Sequence, residues 1–248
     1  MDGGKTLLTV QALRAFAAAS VVVHHILVVA VQKAGYDYSF PSTAAAGVDL
    51  FFLISGFIMV YAHYDDFGVA GASASFIRRR LIRIVPLYWI ATTAAVLLLL
   101  VRPSAFSTLK LDWQNTLFSY LFLLSQTSNG SLNTVLVTGW SLCYEMYFYV
   151  LFALLLFLPR RMFLIAGGAI FAIGLTIDAA GIEIPPWATV ATNPLLLEFY
   201  LGTIIAFLFI RGYYLPPALA LIGIIAGIAA IVIISYPGGS DWMLRILC

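Results

Sequence analysis

Leu7-Leu-Thr-Val-Gln-Ala-Leu-Arg-Ala-Phe-Ala-Ala-Ala-Ser-Val-Val-Val-His-His-Ile-Leu-Val-Val-Ala-Val31 is the stretch that decides the fold class. It contains one arginine, two histidines and no carboxylate. About 20 apolar residues carry a helix across a bilayer core, and this run is longer. The same reading extends outward to Gly47–Tyr64, Ile84–Val101, Gly139–Leu158, Phe163–Ala180, Pro194–Ile210 and Pro217–Ser235. Thr116–Ser125 is only half as long and reads as a short or re-entrant helix. The expectation is an all-α polytopic membrane protein with about seven full spans plus that short helix, in one domain over residues 1–248. The end, Asp241-Trp-Met-Leu-Arg-Ile-Leu-Cys248, reads as the start of another run, so the domain is expected to be truncated before its last spans.

Composition agrees. Of 248 residues, 62% are hydrophobic and 10% charged, and the mean hydropathy is +1.01. So little charge cannot cover a soluble globule, and so few polar residues do not make a disordered chain. A net charge of +2 gives no footprint for nucleic acid. Two cysteines supply neither a disulfide framework nor metal-finger spacing, and no metal is expected. Period-two alternation of the outer-membrane barrel type is missing.

Basic residues bias the loops, which sets orientation. With the N-terminus in the cytoplasm, Lys5, Arg78, Arg79, Arg80, Arg83, Arg160, Arg161 and Arg211 fall inside, eight of thirteen. This holds only if Thr116–Ser125 does not cross. The expected location is the inner (plasma) membrane, multi-pass, with membrane lipids as neighbours.

Ionisable groups inside spans are costly and default to functional candidates. Arg14 and His25 are eleven residues apart, hence about 20° apart around a helix and about 16 Å along it. His24 lies about 80° off Arg14. Arg14 also reads as a snorkelling cation and His25 as a packing residue. Asp49, near the start of Gly47–Tyr64, is either a helix-start acid or the partner that orients His25. Arg80 and Arg83 are one turn apart with Arg79 near their face, which suits either a phosphate grip or a topology anchor. Ser141, Glu145 and Tyr149 recur every four residues as a polar stripe in the outer half of their helix, with Glu198 at comparable depth. His63, beside Asp65 and Asp66, reads as interfacial and solvated.

Four segments in order resemble the acyltransferase 3 family of integral-membrane acyltransferases, most strongly its exopolysaccharide-production, ExoZ-like branch. They are Val10–Ala17 leading to His25, Gly47-Val-Asp-Leu-Phe-Phe-Leu-Ile-Ser-Gly-Phe57, Arg79-Arg-Leu-Ile-Arg-Ile-Val-Pro-Leu-Tyr-Trp89 and Gly139-Trp-Ser-Leu-Cys-Tyr-Glu-Met-Tyr-Phe-Tyr149. By resemblance, Arg14 and His25 match the family's spaced Arg–His pair, Arg80 and Arg83 its Arg-x-x-Arg, and Asp49 and Glu145 its acidic positions. The resemblance implies transfer of an acyl group, usually acetyl, from cytoplasmic acyl-CoA to a polysaccharide or lipid-linked glycan outside. Acyl-CoA (acetyl-CoA) is then the donor substrate and no cofactor is bound. The implied catalytic set is His25 as base, Asp49, Glu145 and Arg14. Arg79, Arg80 and Arg83 are the donor-binding residues, and Ser141, Tyr149 and Glu198 the acceptor-binding ones. The rival readings are an ion-coupled transporter and a non-catalytic membrane subunit.

Overall fold

The computed structural model describes residues 3–34, 46–102, 112–127 and 130–216, with 218–219 and 222–223. The described residues are mostly helical: α1 (Gly3–Ala34), α2 (Ala46–Ala62), α3 (Ala72–Val101), α4 (Trp113–Tyr120), a two-residue ladder of β1 (Ser125–Gln126) with β2 (Leu132–Asn133), a 3-10 turn (Val137–Gly139), α5 (Trp140–Leu155), α6 (Arg160–Ala179), a second 3-10 stretch (Pro186–Ala191) and α7 (Leu196–Ile210). Four described stretches are long and apolar enough to cross a membrane: Leu8–Leu27, Ala72–Val101, Arg160–Ala179 and Pro186–Ile210. Gly47–Ala62 is apolar but shorter, and α5 has 16 residues. The seventh expected run, Pro217–Ser235, lies almost wholly outside the described residues.

The chain divides into two compact units, Met1–Ala62 with Leu201–Cys248, and His63–Tyr200. In the first unit, small residues let backbones meet, as they do between membrane helices. A Cβ on Gly47 would stand 2.7 Å from the Ala17 carbonyl oxygen and 3.0 Å from Val21, so α1 and α2 touch there. One on Gly202 would overlap the Leu53 carbonyl. Phe57 and Tyr61 of α2 meet Phe209 of α7 edge-on, at 5.6 and 6.1 Å between ring centres.

In the second unit α3 and α5 run antiparallel. Ser73 Oγ donates to the Ala153 carbonyl at 2.5 Å at one end, while Tyr88 lies against Gly139 fifteen residues further along α3. The span expected from Ile84 begins at Ala72 instead, so the arginine cluster is helix rather than loop. Pro86 lies inside this helix, and inside a bilayer a proline is tolerated where neighbours and local adjustments meet the freed carbonyl. At the arginine-rich end, Gly68 and Gly71 turn the chain with φ of 76° and 80°. Arg160 then fastens this turn: its Nε donates to the Tyr64 carbonyl at 2.8 Å and its Nη2 to Asp65 at 2.9 Å, with the guanidinium over the Tyr64 ring. His63 departs from expectation. It is 8% exposed, donates from Nδ1 to Asp66 at 2.6 Å, and sets its ring edge on Phe76. The Asp66 partner makes burial affordable, and the two aromatic walls, Phe76 and Phe152, supply it.

The short segment forms the eight-residue helix α4. Asp112 caps α4 by accepting from the Gln114 and Asn115 amides. Its polar residues Asn115 and Ser119 are buried, whereas Trp113, Leu117 and Leu121 face outward, the reverse of a helix in water. Ser119 Oγ donates to the Asn115 carbonyl and accepts from the Val135 amide. Trp89 Nε1 donates to the Tyr120 carbonyl, and Phe122 stacks on Tyr88 at 4.4 Å. Entry and exit therefore both lie along residues 88–96 of α3, and the chain turns back through the β1–β2 hairpin into α5.

Alanine normally improves a helix over glycine by about 1 kcal/mol. At Gly202 the sign should reverse: Gly202→Ala is expected to cost about 1–3 kcal/mol through overpacking, read as a lowered thermal midpoint in detergent. An unchanged midpoint would show that α2 and α7 do not touch there.

Candidate functional site

The α3–α5 register decides which polar residues meet. With Ser73 beside Ala153 and Tyr88 beside Gly139, Glu145 is level with the turn from Arg80 to Arg83. The two sets that the sequence placed at opposite depths thus share one level.

Arg80 is half-buried. Its guanidinium carbon sits 5.3 Å from the ring centres of both Phe76 and Tyr149, and those rings meet each other edge-on at 6.0 Å. A guanidinium held over aromatic rings spends none of its five N–H donors on them as hydrogen bonds. Among the described residues, none of those donors is taken by a hydrogen bond or an ion pair. Tyr149 serves both sides. Its ring carries Arg80, and its hydroxyl donates to Glu145 Oε1 in a short hydrogen bond. The outcome is a fixed cation with free donors beside a tethered carboxyl group, at the edge of an apolar helix pair.

The remaining candidates of this unit are spread around that centre. Arg83 is exposed on the next turn. Arg79 is exposed and donates to Ser75 Oγ at 2.5 Å, which turns it back along its own helix. Ser141, half-buried, leans to the Thr138 carbonyl at 3.4 Å, two turns from Tyr149. Glu198 precedes Phe199, which stacks on Phe148 at 4.2 Å, so it stands on α7 beside the Glu145–Tyr149 stretch.

In the first unit Arg14 is half-buried and His25 exposed on an unbroken α1. The face of α1 that meets α2 runs through Ala17, Ser20 and Val21. His24, seven residues beyond Ala17, belongs to that face, and its Nδ1 is buried without a hydrogen bond among the described residues. Its ring touches that of His25 at 5.7 Å. Asp49 is half-buried in the first turn of α2. No hydrogen bond joins it to His25 among the described residues, and Gly47, two residues before it, packs one to two turns from His25 toward the N-terminus of α1.

Sequence reasoning missed Phe76, the second wall of the Arg80 cradle, and set His24 aside. The available signals were Phe76 one turn before Arg80, and the Ala17–Gly47 pair of small residues marking the buried line. Among the described residues, no three His, Cys, Asp or Glu side chains gather as metal ligands.

The family described as "Acyltransferase domain" matches residues 8–247. The "Exopolysaccharide production protein ExoZ" of Rhizobium meliloti (strain 1021) is 36% identical over 191 residues, which is 76% of this chain and 57% of that protein. The match therefore spans less than two thirds of the relative's length. No solved structure matches.

A hydrogen bond to an ionised partner contributes about 1.5–3 kcal/mol. A double-mutant cycle on Tyr149→Phe and Glu145→Ala is expected to show coupling of about 1–2 kcal/mol in unfolding free energy. Additive effects would show that the bond does not persist.

Proposed function

The chain belongs to the acyltransferase domain family, and on that premise we propose that it is a membrane O-acyltransferase acting on a surface glycan. The donor is acyl-CoA, with acetyl as the acyl group, and it is met at the arginine-rich end, which faces the cytoplasm. The acceptor is a hydroxyl of an exopolysaccharide or a lipid-linked glycan on the other side. The protein sits in the plasma membrane with its N-terminus in the cytoplasm.

The observation that carries the donor half is the Arg80 cradle: a guanidinium over the Phe76 and Tyr149 rings, its donors unclaimed among the described residues. A planar, permanently charged fork with free in-plane donors suits a phosphate oxygen pair. Arg83 adds charge one turn on, and Arg79 contributes at the margin. Since Tyr149 holds both Arg80 and Glu145, we assign these two residues to the start of the donor's path as well as to the acceptor. Ser141 and Glu198 complete the acceptor's polar surroundings.

His25 is the general base on the attacking hydroxyl, and Arg14, on the same helix, lines the donor's route. Asp49 makes no bond to His25 among the described residues and takes no step in this scheme. The transporter and non-catalytic readings give the free donors of Arg80 no task.

Structural analysis of the cell-surface polysaccharide with and without the gene tests the reading. Loss of one O-acyl group supports it, and an unchanged polymer refutes it. Arg80→Lys keeps the charge but not the planar fork, and is expected to weaken coenzyme A binding to the purified protein by about tenfold, or 1.4 kcal/mol. His25→Ala is expected to abolish transfer while leaving coenzyme A binding unchanged. Retained transfer would remove His25 from the mechanism.

A further inference from the structure

A second polar group in the unit 63–200 lies about 12 Å along α3 from Arg80, eight residues on, and the scheme above does not use it. Tyr88 is 3% exposed and Thr92 is fully buried. They stand one turn apart on α3, and neither hydroxyl closes a hydrogen bond among the described residues. The Tyr88 hydroxyl is turned toward Thr92 and Thr134 without closing a bond to either, and Thr134 gives its own proton to the Leu136 carbonyl at 2.6 Å. A buried hydroxyl without a partner is costly, and more so where no water can reach it. Even where one of two such hydroxyls accepts from the other, a proton is left to give to an acceptor atom.

The start of α5 supplies the second half of the arrangement. A Cβ on Gly139 would stand 3.1 Å from Tyr88 Oη and 2.8 Å from both Tyr88 Cε2 and Thr134 Oγ1. Glycine at the helix entrance therefore lets the tyrosine hydroxyl lie against it. A 3-10 turn, Val137–Gly139, leads into this entrance, with the Gly139 amide donating to the Leu136 carbonyl; no side chain caps it, and a helix start carries partial positive charge.

We infer that Tyr88 and Thr92, beside the N-terminal end of α5, form an oxyanion site, which receives the carbonyl oxygen of the donor's acyl thioester. The inference rests on the acyltransferase reading. In the step it serves, the acceptor hydroxyl oxygen bonds to the thioester carbonyl carbon while the general base takes the hydroxyl proton. The carbonyl π pair moves onto oxygen, where the two hydroxyls meet it. Collapse restores the C=O bond and breaks the C–S bond, and the base returns the proton to the departing thiolate. Donors already oriented, and shielded from water, stabilise such developing charge most. The separation from Arg80 is shorter than the arm between coenzyme A's phosphates and its thioester, so one donor reaches both.

The test compares acyl transfer from acetyl-CoA by the membrane-embedded wild type, Thr92→Val, Thr92→Ser and Tyr88→Phe. Thr92→Val and Tyr88→Phe are expected to lower kcat by about 10²- to 10³-fold with KM for acetyl-CoA nearly unchanged. Thr92→Ser keeps the donor and is expected to retain most of kcat. If Tyr88→Phe does not fold, the Thr92 pair decides alone. Full kcat in Thr92→Val, or equal losses in the Val and Ser variants, would overturn the inference and leave these hydroxyls as holders of a buried water. A wild type that transfers nothing from acetyl-CoA would instead sink the acyltransferase reading itself.

Discussion

Hydrocarbon offers no hydrogen bonds, and the polar groups of this chain are arranged under that constraint. A guanidinium such as Arg80 is costly alone at the edge of an apolar helix pair. Two aromatic faces make it tolerable without using up its donors. The same pressure explains why the Tyr149 hydroxyl goes to Glu145, why Ser73 reaches across to a backbone carbonyl of α5, and why His63 is buried only together with Asp66. The polar groups left over, Arg80 at one level and Tyr88 with Thr92 at another, are where a ligand has something to offer.

The α3–α5 pair turns that constraint into geometry. Its antiparallel register is pinned near the arginine-rich end by Ser73 and near the hairpin by Gly139. Between the pins, side chains from two distant parts of the chain come to one depth. Helix α3 alone carries the arginines, Pro86, Tyr88 and Thr92 in succession, so a single rigid element would space the two ends of a long donor.

The membrane character was legible in Leu7–Val31 and its counterparts, since it depends only on the length and purity of apolar runs. Helix starts were less legible. Arg78–Arg83 and Pro86 look like a boundary along the chain, yet α3 begins at Ala72 because its neighbours make both tolerable. In the site, one-turn spacings were readable: Arg80 with Arg83, and Ser141, Glu145 and Tyr149 as a stripe. That Arg80 meets Tyr149 was not readable, because it follows from a pairing of helices some seventy residues apart. Angular arithmetic around Arg14 favoured His25, whereas the small residues Ala17 and Gly47 decide which face of α1 packs, and that face carries His24.

Helix α4 carries a consequence for how the protein is made. Its buried side is polar and its outward side apolar, so it has no stable resting place in water. Its partners come from both directions in the chain: Trp89 and Thr93 are synthesised before it, and Val135 after it. The segment therefore cannot settle as it emerges. It must wait beside α3 until the hairpin and α5 have followed, which makes its docking a late event in membrane insertion.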